Sequence, residues 1–170
     1  MSSKEITTKQ ILTTLADAPL RLTTFAAKLT PTQLQTAHAQ GEWSANAVLA
    51  HLRSCADVWG SCIVKILAED RPTLRAINPT TWIKRTNYLE LEFQTSLDAF
   101  IAQRTELLTF LESLPTEAWL RSAQVTGTGA VRERTVFFYM QWLARHERQH
   151  FKQLENILDF YITTKNTTKD

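Results

Sequence analysis

Residues 133–161 read ERTVFFYMQWLARHERQHFKQLENILDFY, and their spacing decides the fold. Val136, Phe137, Met140, Leu143, Phe151, Leu154 and Leu158 return every three or four positions, the signature of one buried stripe on an α-helix. The pattern predicts a single long helix over 133–161. A stripe of that length has to be covered by other helices, so the question becomes how many the chain supplies.

Working outward, three more stripes appear. Residues 8–29 place Ile11, Leu12, Leu15, Leu22, Phe25, Ala26 and Leu29 at helical spacing. Pro19 falls inside this run and is expected to kink or split it. Thr30 and Pro31 then read as an N-cap with Pro at the first helical position, opening a short helical turn. A second long helix follows Gly41-Glu42-Trp43, with Ser44 as N-cap. It carries Val48, Leu49, Leu52, Cys55, Trp59, Ile63 and Ile66 as far as about residue 69. Residues 70–84, marked by Pro72, Asn78-Pro79 and Trp82, read as a loop. The third long helix is expected over 85–113, burying Leu89, Phe93, Leu97, Phe100, Ile101, Leu107, Leu108 and Leu111. Residues 115–119 read as a short turn, and 121–132, with Gly127 and Gly129, as another loop. No stretch alternates convincingly enough for a strand. The expectation is an all-α four-helix bundle with long connections, one domain over 1–162 and a polar, frayed tail at 163–170.

Composition agrees. A chain of 170 residues suits one domain with a sizeable core, and Gly (4) and Pro (5) are scarce, as long helices require. A net charge of +2, with the basic residues scattered among Asp and Glu, argues against nucleic acid as a partner. No segment approaches the roughly 18 apolar residues of a membrane span, and the opening Met-Ser-Ser-Lys-Glu-Ile lacks an apolar signal core. Cys55 and Cys62 lie about 10 Å apart along one helix, too far to bridge. Two free thiols point to the cytoplasm.

The chemistry is carried by histidine. His146 and His150 are four residues apart, so both imidazoles leave the same helical face, in register with Leu143, Leu154 and Ile157. His51, in the apolar run Val48-Leu49-Ala50-His51-Leu52, shares a narrow stripe with Cys55, Val58 and Cys62. Three neutral imidazoles converging in a bundle core make a divalent-metal site with a position open to water or substrate. The bland alternative is a core histidine at 51 and solvated histidines on a charged face around Arg145, Glu147, Arg148, Gln149 and Lys152. His-Glu-x-x-His also matches a zinc-protease motif with Glu147 as base, but only Glu155 and Asp159 follow as a third ligand. Glu147-x-x-His150 matches half a di-iron site, yet the second half is missing. His38 reads as a loop residue. Cys55 reads as core, with a fourth ligand or a reactive thiol as the alternative. The tryptophans read mainly as core or cap residues, with Trp82 and Trp119 near a pocket mouth that loops 71–84 and 121–132 would flank.

Gly41-Glu42-Trp43-Ser44 with Val48-Leu49-Ala50-His51-Leu52, and 95 residues after His51 the run Ala144-Arg145-His146-Glu147-Arg148-Gln149-His150-Phe151-Lys152-Gln153-Leu154, resemble the DinB-like (damage-inducible) superfamily. The resemblance covers most of the chain, to about Leu158. It implies a four-helix bundle with long connections and a metal site made of His51, His146 and His150. It implies one divalent ion (zinc, nickel or iron, with copper also suited to three imidazoles), and either S-transfer from a low-molecular-weight thiol to a small electrophile or hydrolysis. It also makes a homodimer plausible. Relatives often carry a carboxylate about a turn and a half after the first His; here Ala56 stands near that point, with Asp57 beside it. The other class of function is a non-catalytic helical dimer or interaction protein whose metal site is structural or missing.

Overall fold

The computed structural model describes residues 6–167. Thr7 caps helix α1 (Thr8–Ala26) through a reciprocal capping box with Gln10. Pro19 lies inside a continuous helix, so of the two expected outcomes the split is not what the structure has. Its missing N–H costs one rung, that to the carbonyl of Leu15, and a guanidinium from another helix takes the vacated acceptor: Arg104 Nη1 donates to Leu15 O at 3.0 Å. Thr30 caps the short α2 (Pro31–Gln35), with Pro at the first position as the sequence indicates. Ser44 caps α3 (Ala45–Ala68) by accepting from the Ala47 N–H.

The segment expected to be a plain loop is structured. Strand β1 (Thr73–Arg75) leads to α4 (Pro79–Trp82) and a 3-10 turn (Ile83–Arg85). Helix α5 (Phe93–Glu112) starts eight residues later than the periodicity suggests, and Leu89, expected on its buried stripe, is 53% exposed in the connection. After a 3-10 turn (Thr116–Leu120), the second expected loop holds strand β2 (Ser122–Thr126), and β3 (Arg132–Thr135) takes residues 133–135 from the start of the expected last helix. Together β1, β2 and β3 form a small sheet in that order, β1 parallel and β3 antiparallel to β2. Leu74 pairs with Val125, and Ala123 and Val125 alternate inward. Gly127 and Gly129 have φ of +89° and +92°, which lets the chain turn between β2 and β3. Helix α6 (Val136–Thr167) continues past residue 161, so residues 163–167 of the expected frayed tail are helical; 168–170 lie outside the described residues.

The four long helices pack as a bundle: α1 against α5 and α6, α3 against α5 and α6. Their apolar faces form two clusters. One holds Ile11, Leu15, Ile63, Ile66, Leu111, Met140 and Leu143 and carries the sheet through Leu74, Ala123 and Val125. The other holds Leu22, Phe25, Leu49, Phe93, Phe100, Phe151 and Leu154. Between them along α5 and α6 lie Arg104, His146, Glu147 and His150, so the bundle's buried polar chemistry is gathered at its waist.

Candidate metal centre

His51 sits on α3 with its ring buried, and His146 and His150 are half-buried on α6. His51 Nε2 is 3.3 Å from His146 Nε2, and His146 Nε2 is 3.2 Å from His150 Nε2. The three ring centroids are 4.5–5.1 Å apart. The sequence reading that these three imidazoles face one another, rather than pointing apart, is thus what the structure has.

Cys55, one turn after His51, joins them: its Sγ is 3.5 Å from His51 Nε2. The donor atoms of His51, Cys55 and His146 all lie within 4.8 Å of one another, a set able to hold a metal ion. His150 approaches the same atoms through His146, and its Nδ1 is tied to Gln153 Oε1 at 2.9 Å. The Nδ1 atoms of His51 and His146 are buried without a hydrogen-bond partner among the described residues. Burial, and then the neighbouring His150, lower His51 to about pKa 4. Burial, then His150 and His51, lower His146 to about 4 as well. Both are therefore neutral near pH 7, the form that can ligate. Burial first, then the Glu147 and Asp57 carboxylates, push the Cys55 thiol well above its ordinary range.

Tryptophans wall the cluster. Trp43 stacks on His150 with 7° between the rings and meets His51 edge-on. Trp59 stands perpendicular to His146 and to Trp142, which in turn stacks on Phe138. The aromatic wall is therefore Trp43 and Trp59 rather than the expected Trp82 and Trp119. Trp119 is buried in the core, and Trp82 donates to Asp57. The signal was in the chain, since Trp59 falls eight residues after His51 and Trp43 eight before it. The segments around 71–84 and 121–132 contribute the sheet instead, whose Leu74, Ala123 and Val125 pack into the apolar cluster that also holds Cys55.

Glu147 does not serve the histidines. It is fully buried and, about 100° round α6 from His146, turns towards α5, where both carboxylate oxygens accept from the Arg104 guanidinium. Grouping Glu147 with the solvated face of α6 is thus corrected. The protease-like role is also closed to it. Asp57 is occupied as well, accepting from Tyr88 Oη (2.7 Å), Gln103 Nε2 (2.6 Å) and Trp82 Nε1 (3.3 Å). It pins the 79–92 connection to α3. Cys62 is a free, half-buried thiol beside Tyr139. His38 is a part-buried loop residue whose ring lies 5.3 Å from that of Phe160.

The model of the DinB superfamily matches residues 14–154, a span that runs from α1 to the middle of α6 and includes every residue of this cluster. The chain belongs to the DinB superfamily. Two solved structures share the fold of this DinB protein. YfiT from Bacillus subtilis, described as a probable metal-dependent hydrolase with an unusual four-helix bundle topology, superposes with a TM-score of 0.72 over 92% of this chain and 90% of that one, at 18% identity. The DinB-like protein YjoA from Bacillus subtilis gives 0.62 over 88% and 90%, at 17% identity. Among curated proteins none matches the chain. No helix of the described residues is long and apolar enough to cross a membrane.

Proposed function

We propose that this protein is a cytoplasmic, metal-dependent enzyme in which His51, His146 and His150 hold one divalent ion and a small thiol is transferred to an electrophile. The observation that carries the reading is the crowding of ring nitrogens. His146 Nε2 faces two other Nε2 atoms at 3.2 and 3.3 Å. A neutral ring nitrogen carries either a proton or a lone pair, so one well-aligned hydrogen bond can form here and the other contact is left without one. A cation removes that conflict. The spacings fit it: nitrogens about 2.0–2.1 Å from a tetrahedral zinc-type ion stand about 3.3–3.4 Å apart.

An ion in this position would lower the pKa of a bound small thiol and favour its thiolate at neutral pH. The chain's own residues do the rest. Trp43 and Trp59 shield the site from water and offer flat apolar surface to the electrophile. Gln153 orients His150 by accepting from its Nδ1–H, the second-sphere contact usual for a ligating imidazole. S-transfer is favoured over hydrolysis because neither Glu147 nor Asp57, the carboxylates acting on Cys55, is free to serve as a base. Glu147 is bound to Arg104, and Asp57 accepts three hydrogen bonds. A thiol that has lost its proton on binding needs no base to attack. Hydrolysis is the second reading, favoured by the likeness to YfiT.

The test is elemental analysis of protein purified without an affinity metal, followed by single His→Ala variants. The wild type should hold one ion per chain, and each of His51→Ala, His146→Ala and His150→Ala should lose affinity by about 100-fold or more, beyond what loss of a supporting partner causes. Unchanged stoichiometry in the His146 or His150 variant would end the reading. Faster conjugation of glutathione or cysteine to a chloronitrobenzene by the loaded protein supports S-transfer. Ester cleavage without conjugation would move the assignment to a hydrolase.

A further inference from the structure

We infer that Cys55 is a fourth protein ligand of the same ion, making the resting centre a three-histidine, one-cysteine site. The inference rests on the metal-binding reading above. It follows from the position of one sulfur atom. Cys55 Sγ stands 3.5 Å from His51 Nε2 and belongs, with His51 and His146, to the donor set that lies within 4.8 Å. With metal–sulfur near 2.3 Å and metal–nitrogen near 2.0–2.1 Å, sulfur and nitrogen ligands of one tetrahedral ion stand about 3.5–3.6 Å apart. The observed separation matches that edge, and the His51–His146 and His146–His150 contacts of 3.3 and 3.2 Å match the shorter nitrogen–nitrogen edges; His150 lies outside the set within 4.8 Å and would close on the ion last.

The helix explains why the sulfur is there. Positions 51 and 55 differ by one turn, so both side chains leave α3 on the face that meets α6, and neither can be moved without the other. Cys55 is fully buried, so its thiol has no role with solvent in competition with this one. On binding, the ion replaces the thiol proton, which passes to buffer, and the sulfur brings one negative charge to the centre. Two consequences follow for this site. A thiolate beside three imidazoles selects zinc, cobalt or other borderline and soft ions over magnesium, calcium and manganese. It also fills the position that three histidines would leave open. Cys55 would give up that position to an incoming small thiol by taking the thiol's proton onto its own sulfur, leaving the net charge of the site unchanged.

The experiment uses the full chain, stripped of metal and titrated with cobalt(II), with Cys55→Ser, Cys55→Ala and Cys62→Ser alongside. Wild type and Cys62→Ser should show near-ultraviolet thiolate-to-cobalt charge-transfer absorption, and both Cys55 variants should lack it while keeping the weaker visible bands of histidine-held cobalt. Because a variant can disturb the core, the wild type gives a second readout: in mild denaturant, ion binding should protect one thiol of the two from alkylation, and peptide mapping should place the protection at Cys55. Visible bands without charge transfer in the wild type, or charge transfer that survives in Cys55→Ser, overturns this inference and leaves the three-histidine reading standing. Failure of cobalt to bind any form overturns both.

Discussion

Consecutive residues of α6 serve two buried polar clusters that differ in how they are satisfied. Glu147 turns towards α5 and meets Arg104 in a pairing that uses both carboxylate oxygens and leaves spare guanidinium N–H capacity for the Leu15 carbonyl. His146 turns towards α3 and meets nitrogens that cannot all be hydrogen-bonded to one another. The first cluster is electrostatically complete with protein atoms alone. The second leaves nitrogen contacts that protein atoms alone do not satisfy, which is the arrangement the proposed cation would complete. Among buried groups that contrast is informative, because unpaired polar atoms in a core are costly and persist where something else satisfies them.

The largest expected effect lies on the complete side. Glu147→Ala leaves the Arg104 charge, 1% exposed, without its partner. It should lower stability by about 3–5 kcal/mol in denaturant unfolding. Replacing both residues together, Arg104→Met with Glu147→Leu, should recover most of that loss. If the single and double variants were equally unstable, the pairing would not be what holds this side together. Any folded variant of the pair should still take up metal at the other cluster.

How much of this was legible in advance depended on range. Four apolar stripes with three- and four-residue spacing gave the bundle, and the caps Thr30 and Ser44 gave helix starts. The histidines were legible because an i, i+4 pair and a buried His51 are local patterns. What escaped depended on contacts distant in sequence. Residues 73–75 and 122–126 are too short to show alternation, and they pair across 50 residues of chain. Residues 85–92 share the periodicity of α5, but Asp57, on another helix, holds Tyr88 in the connection instead. Arg104 sits in the apolar rhythm of Phe100, Leu107 and Leu111, and only the fold shows that it is buried with Glu147 opposite.

A smaller effect sharpens the comparison from a third cluster. Asp57→Ala removes one acceptor from Trp82, Tyr88 and Gln103 together. It should cost about 1–3 kcal/mol and loosen the 79–92 connection, read by faster amide exchange there, with metal stoichiometry unchanged. Loss of metal in this variant would tie Asp57 to the histidine site.

A further effect is set by pH. In metal-free protein His51 and His146 titrate near 4, whereas an unfolded histidine takes up its proton near 6.5. Between those values the unfolded chain binds more protons, so native stability should fall as pH drops from about 6.5 to 4. Thermal melting of the stripped protein checks this. His146→Ala should flatten the slope, and an unchanged slope would place the titration elsewhere.

Pro19 carries a consequence for anyone who would redesign this molecule. By idealised rules a proline in mid-helix is a blemish to be corrected, worth roughly 3 kcal/mol on propensity scales. Here the blemish is a mounting point, since the oxygen it exposes steadies a cation anchored on the neighbouring α5. An alanine at position 19 would install a competing amide at that oxygen, so part of the propensity gain would be returned as a less firmly seated Arg104. Regularity in α1 and order at the waist of the bundle are therefore opposed quantities.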